Sequence, residues 1–192
     1  MNLALRKTMT LAEFLAWEER QELRHEFDGF APVAMTGGTA GHAFIQTNLA
    51  VALQSRLRGK PCRFYANDLK FLTADGTVRY PDGMVVCAPV DRQAKLVENP
   101  TVVFEVLSPS TTQTDRIAKA REYQATSSVQ RYVMLEQDSV AAVVYARGGS
   151  AWTHDILTAD AVLALPEIGI ELPLAELYEG IDFETAEASE SA

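Results

Sequence analysis

The sequence predicts a mixed α/β domain with a central sheet flanked by helices, and three observations carry that reading. Two short apolar runs of β type, residues 83–88 (GMVVCA) and 101–107 (TVVFEVL), occupy the middle of the chain. Another strand-like run, 130–136 (QRYVMLE), follows a polar segment over 114–125 with helical spacing. A second helical pattern, apolar at Phe44, Ile45, Leu49, Leu53 and Leu57, precedes them all. Helix-period segments alternating with short β runs are the pattern of helices packed on a sheet.

The chain has 192 residues, of which 47% are hydrophobic and 22% charged. That is enough to bury a sizeable core in one domain, here assigned to residues 1–181. Residues 182–192 are acidic, small and serine-containing, a composition that predicts a disordered tail. No apolar run reaches the length of a membrane span, and the N-terminus lacks an apolar core followed by a cleavage site. The expectation is a cytoplasmic protein with no membrane partner.

Cys62 and Cys87 lie in apolar strand-like runs and read as buried reduced thiols. Neither has the Cys/His spacing of a zinc site. The net charge of −9 argues against a broad grip on phosphates. Part of that charge is local, because six acidic and no basic residues occur from Glu176 onward, leaving the rest near neutral. Basic residues cluster at Arg56, Arg58, Lys60 and Arg63 and again at Arg116, Lys119 and Arg121. Each cluster suits a phosphate groove or a solvated helix face.

In chain order, residues 10–21 form the first predicted helix. Thr10 caps it, Glu13 completes a capping box, and Leu11, Phe14 and Leu15 follow helical spacing. Residues 25–30 (HEFDGF) read as a strand ending in an Asp-Gly turn, with 31–35 returning as the second arm of a hairpin. A Gly-rich loop over 36–41 leads into the helix 42–57, but no Gly-Lys-Ser/Thr follows, so it is not a phosphate-binding P-loop. His42 stands near the start of that helix, where the macrodipole favours a neutral imidazole. Such a group could ligate metal or contact a phosphate, or simply pack.

Residues 62–72 read as one strand, separated from the next by the Ala74-Asp75-Gly76 turn. Residues 89–100 form a polar loop, placed at the border of the site. After the central helix and strand 130–136, residues 139–146 and 151–157 form a hairpin around Arg147-Gly148-Gly149-Ser150, with His154 facing outward. Short strands at 161–165 and 168–172 and a helical turn at 174–177 complete the domain.

The chemistry concentrates between Tyr80 and Tyr123. Asp82 stands at the mouth of one apolar run and Glu105 lies inside the other. A carboxylate in so apolar a strand must be paired, protonated or bound to a cation. The chain then turns at Ser108-Pro109-Ser110 into a helix capped by Thr112 or Thr114, which places Asp115, Lys119 and Tyr123 on one face at spacings of four. If that face looks back on the strand, the Lys119 ammonium meets both carboxylates.

The motifs P-D-G at Pro81, Asp82 and Gly83, E-V-L-S-P-S-T from Glu105 to Thr111, D-x-x-x-K-x-x-x-Y from Asp115 to Tyr123, and H-E-F-D-G from His25 to Gly29 resemble the Uma family of candidate restriction endonucleases. That family falls within the PD-(D/E)xK nuclease superfamily, and the resemblance spans most of residues 8–178. It implies a restriction-endonuclease-like core and a metal-dependent endonuclease hydrolysing DNA phosphodiester bonds. It further implies Mg²⁺ or Mn²⁺ held by Asp82, Glu105 and the Val106 carbonyl, with Lys119, Glu26 and His42 completing the catalytic set and Asp115 and Tyr123 supporting Lys119. The departure from the superfamily pattern is Leu107, which stands where E-x-K expects lysine, so Lys119 takes that role from the next helix.

Two other readings remain open on the residues. One is a catalytically weak nuclease-like fold acting as a nucleic-acid-binding or dimerisation module, and the other is a structural ion network. A homodimer joined through the 139–157 hairpin would suit a nuclease cutting two strands.

Overall fold

The computed structural model of the protein describes residues 8–35, 37–108, 113–149 and 151–183, with side chains in the central helix described from residue 116 onward. The chain opens with α1 (Leu11–Glu18), the hairpin β1 (His25–Phe27) and β2 (Pro32–Ala34), and the long helix α2 (Ala40–Leu57). Then come β3 (Arg63–Ala66), β4 (Lys70–Leu72), β5 (Val78–Arg79), β6 (Gly83–Val86), β7 (Leu96–Val97) and β8 (Pro100–Val106). Helix α3 (Gln113–Ala125) is followed by β9 (Arg131–Leu135), β10 (Ala141–Gly148), β11 (Ala151–Thr158), β12 (Val162–Leu165) and β13 (Ile170–Pro173). Short 3₁₀ turns lie at Pro166–Ile168 and Leu174–Tyr178.

Among the described residues, the larger sheet has six strands in the order β11-β10-β9-β8-β6-β3, with β8 and β9 parallel. A second sheet runs β2-β1-β5-β4-β7, and β12 pairs with β13. This is the mixed α/β architecture expected.

Strand β8 shows how the sequence chooses its faces. Its side chains alternate, so Val102, Phe104 and Val106 pack on one side with Ile45, Leu49 and Leu53 of α2. Val103 and Leu107 pack on the other with Ala120 and Tyr123 of α3. Glu105 has the parity of Val103 and Leu107, and therefore faces α3.

Helix α1 has the predicted cap: Thr10 Oγ1 accepts the Glu13 N–H at 3.2 Å, and the Glu13 carboxylate accepts the Thr10 N–H at 2.8 Å. Phe14 stacks on Phe27 of β1 at 4.9 Å. Glu18, also buried, pairs with Lys70 Nζ at 2.6 Å and accepts the Tyr80 hydroxyl at 2.7 Å.

The structure corrects several expectations. The run 62–72 is two strands in different sheets, because Asn67 and Asp68 form a turn after β3 sends Phe64 into the α2-side core. Phe71 on β4 enters the α3-side core instead. The run 77–88 also divides, at Tyr80-Pro81-Asp82, where Pro81 has no N–H for a ladder. Asp82 thus sits where the chain crosses between sheets.

Cys62 and Cys87 form a disulfide rather than standing as reduced thiols. They flank the Arg63–Val86 pair of β3 and β6, so strand register places them opposite each other, which spacing along the sequence could not reveal. The 89–100 loop contains β7 and lines a separate hollow of about 220 Å³, away from the site. Phe44 of α2 is 46% exposed instead of core. The tail expectation falls largely on residues 184–192, outside the described residues, as do Thr112 and the side chains of Thr114 and Asp115.

Candidate active site

Asp82 follows Pro81 and precedes Gly83, and the glycine is required by close packing. A Cβ at Gly83 would stand 2.7 Å from the Phe64 ring. The bare backbone lets β6 approach that ring and fixes Asp82 against the end of β8. Its Oδ2 accepts the Val106 N–H at 2.6 Å, while Oδ1 accepts from His42 Nε2 at 3.1 Å and from the Gln46 amide.

Glu105, on the adjoining strand, is buried, and both of its hydrogen bonds fall on Oε1. Tyr123 Oη donates at 2.8 Å and Lys119 Nζ at 3.3 Å. Burial pushes the Glu105 carboxyl up to about 7 despite Lys119, and the nearby Asp82 and Glu26 carboxylates act in the same direction. Burial likewise raises the Tyr123 hydroxyl well above its ordinary value, so it stays a donor.

Lys119 also lies 3.2 Å from Glu26 Oε1 on β1. Glu26 accepts from Arg79 Nη1 at 2.9 Å and from the Tyr80 N–H at 3.2 Å. Arg79 in turn binds Glu122 of α3 through two bonds of 2.7 and 2.6 Å. Burial alone would raise the Glu26 carboxyl, but Lys119 and Arg79 outweigh it and hold it below the usual range. The result is a buried chain of alternating charge from Glu122 through Arg79, Glu26 and Lys119 to Glu105. Glu26 is the anion that fixes Lys119, with its oxygens engaged by cations and a backbone N–H.

Helix α2 supplies the third wall. Thr39 caps it by accepting the His42 N–H at 3.1 Å, and the His42 ring rests on Gly38, where a Cβ would come within 2.9 Å. Gln137 donates to the Leu107 carbonyl at 2.9 Å and its amide lies 3.5 Å from His42 Nδ1. The hydrogen bond to Asp82 raises the His42 pKa against the effect of burial, the reverse of the neutral imidazole expected from the helix dipole alone. A direct charged partner outweighs a partial charge.

Asp82, Glu105, Val106, Lys119, Glu26 and His42 all line one cavity of about 940 Å³. Tyr123 joins it through Glu105, and the Asp115 side chain lies outside the described residues. Lys119 of α3 reaches Glu105 on the strand face that Leu107 also occupies. The basic cluster at Arg56, Lys60 and Arg63 does not join the site. Arg56 pairs with Glu176, and Lys60 and Arg63 donate to backbone carbonyls. Sequence reasoning missed Arg79, Glu122, Gln46 and Gln137. Of these only Gln46 carried a signal, one helical turn after His42.

Among the described residues, no three His, Cys, Asp or Glu side chains are arranged to hold a metal ion. The available donors are instead two carboxylates and the Val106 carbonyl. Among the described residues, Glu105 Oε2 and one lone pair of Asp82 Oδ2 take no part in the hydrogen bonds above. Such a sparse all-oxygen set fits Mg²⁺ or Mn²⁺, ions that keep several waters, better than zinc.

Comparison with known proteins identifies the family and the fold. The sequence model of the Uma2 family, described as "Putative restriction endonuclease", matches residues 11–175. An uncharacterized protein of Synechocystis, slr1290, is 34% identical over 175 residues, covering 89% of this chain and 92% of its own length. Another Synechocystis protein, sll1609, is 28% identical over 141 residues, covering 71% and 80%. The crystal structure of a "putative nuclease belonging to DUF820" from Anabaena variabilis superposes with a TM-score of 0.74. It shares 19% identity and covers 88% of this chain and 97% of its own, a likeness of fold that matches the restriction-endonuclease-like core.

Proposed function

The chain belongs to the Uma2 family, and from that premise we propose that the cavity around Asp82, Glu105 and Lys119 hydrolyses DNA phosphodiester bonds with the help of a divalent metal. The observation that carries the reading is the convergence of the two carboxylates and Lys119 in one cavity, with Lys119 pinned between Glu26 and Glu105. A structural network alone would not need to open onto a cavity.

Asp82, Glu105 and the Val106 carbonyl would hold Mg²⁺ or Mn²⁺, which when bound supplies positive charge to the phosphate and lowers the pKa of water. The residues of the chain provide the rest. Gln46, His42 and the Val106 N–H fix the Asp82 carboxylate in orientation. Lys119, held at both ends, orients an attacking water or offsets charge developing on the phosphate. Glu26 and Glu105 keep its ammonium from rotating away, and Tyr123 fixes the Glu105 carboxylate. His42, whose pKa is raised by its hydrogen bond to Asp82, holds that carboxylate in place through Nε2.

The test is a plasmid and oligonucleotide cleavage assay in Mg²⁺, paired with calorimetric Mg²⁺ titration. Wild type is expected to cut, Lys119→Ala to bind metal without cutting, and Asp82→Ala and Glu105→Ala to lose metal binding. A well-folded wild type that binds metal and DNA but never cuts would favour the binding-module reading, to which the acidic charge already leans. Absence of metal binding would remove the nuclease reading.

A further inference from the structure

The same cavity holds a second observation, which concerns the form of the substrate. One part of its lining comes from the β1–β2 hairpin and the segment before it: Leu23, Val33, Ala34 and Met35. Leu23 is 66% exposed and Val33 38%. Exposed aliphatic side chains gathered at a cavity that also holds charged catalytic groups mark a surface awaiting an apolar partner.

The charges of the cavity point the same way. Carboxylates outnumber cations in the lining. Its cations are also committed: Arg24 faces Asp68, Arg79 faces Glu26 and Glu122, and Lys119 faces Glu26 and Glu105. A protein that grips a duplex relies on free lysines and arginines across many phosphates, and a single strand, although it carries phosphates too, depends less on the counterion release they provide. Among the described residues of the lining, Arg79 and Lys119 are buried in ion pairs, and only Arg24, in an exposed pair with Asp68, lies within reach of a flanking phosphate. An unpaired nucleotide adds an apolar base face, which a paired and stacked base hides. The cavity, at about 940 Å³, accommodates a few nucleotides of one strand.

Resting on the nuclease reading above, we propose that the substrate is an unpaired DNA segment, with a base seated on the Leu23, Val33 and Met35 wall while its phosphate meets the Asp82, Glu105 and Lys119 groups. Strand form is read by the hairpin, and the bond is cut by the larger sheet.

The experiment compares a fluorescent 20-mer single strand with its own duplex by anisotropy, at fixed low salt with Ca²⁺ replacing Mg²⁺. The single strand is expected to bind roughly tenfold tighter. A Leu23→Ser/Val33→Ser variant, altered only at exposed side chains, should lose roughly tenfold of single-strand affinity while its Mg²⁺ titration and melting curve stay unchanged. An abasic site within the single strand should reproduce part of that loss. Duplex binding as tight as single-strand binding, together with duplex cleavage, overturns the proposal and leaves the nuclease reading standing. A neutral double variant overturns the role of the wall. Failure of both DNA forms to bind a protein that still titrates Mg²⁺ overturns the proposal and the DNA reading together.

Discussion

The carboxylate of Glu26 and the ammonium of Lys119 meet at 3.2 Å, although one comes from the first strand of the smaller sheet and the other from the helix that covers the larger one. Neither is exposed enough for water to replace the other, so the pair is a structural commitment. Replacing Glu26 by Gln leaves Lys119 and Arg79 short of an anion. Removing one partner of a buried ion pair costs about 3 kcal/mol. Urea denaturation of Glu26→Gln should show a loss of that order, and its cleavage rate should fall further than its metal affinity.

Glu18 sets an acid limit on stability. Burial alone would raise its carboxyl, but the hydrogen bonds from Lys70 and Tyr80 hold it below its usual value of 4.5. A depressed carboxylate contributes stability above its unfolded pKa and loses that contribution as pH falls through its folded pKa. Wild type should therefore be more stable than Glu18→Gln at pH 7, and the two should converge as pH falls below 4.5 and through the depressed folded pKa. Chemical denaturation across pH 2–7 measures this; parallel curves would show that folding leaves the Glu18 pKa unshifted.

Gly83→Ala tests the packing that fixes Asp82. The added methyl meets the Phe64 ring, which lies in the core with Leu49. Forcing volume into a packed core costs about 2 kcal/mol. The melting temperature should fall, and Mg²⁺ affinity should fall with it because β6 carries Asp82 along. An unchanged affinity in a destabilised variant would separate the ligand position from the strand.

The Cys62–Cys87 bridge predicts that denatured, unreduced protein has no thiol reactive toward a colorimetric reagent. Cys62→Ser/Cys87→Ser should be less stable by about 3 kcal/mol, the scale for a disulfide closing a loop of this size. Two reactive thiols in the unreduced chain would show the bridge to be open in solution.

Much of the site was legible because buried carboxylates are anomalous. Glu105 announces itself among valines, and the spacing of Lys119 and Tyr123 follows from a helix period, so both contacts with Glu105 were readable. The capping box of α1 and the hairpin at β1 and β2 were readable for the same local reason. What escaped depends on contacts between distant segments. Arg79 looks like an ordinary strand residue until β5 is set beside β1, and Cys62 faces Cys87 only in the register of β3 with β6. His42 was placed correctly but assigned the wrong tendency to ionise, because the dipole of its helix is visible in the sequence and its contact with Asp82 is not.

Arg79 clasps Glu26 with one guanidinium nitrogen and Glu122 with the other two. That clasp makes the beginning of the chain a component of the site rather than an attachment to it. A polypeptide trimmed before β3 would retain Asp82, Glu105 and Lys119, yet Lys119 would lose its contact with Glu26 and Arg79 would neutralise Glu122 alone. Trimming, insertion or fusion near residues 8–35 therefore alters the ion pairs that hold Lys119, whereas alterations at the distant β12–β13 hairpin leave this electrostatic linkage intact.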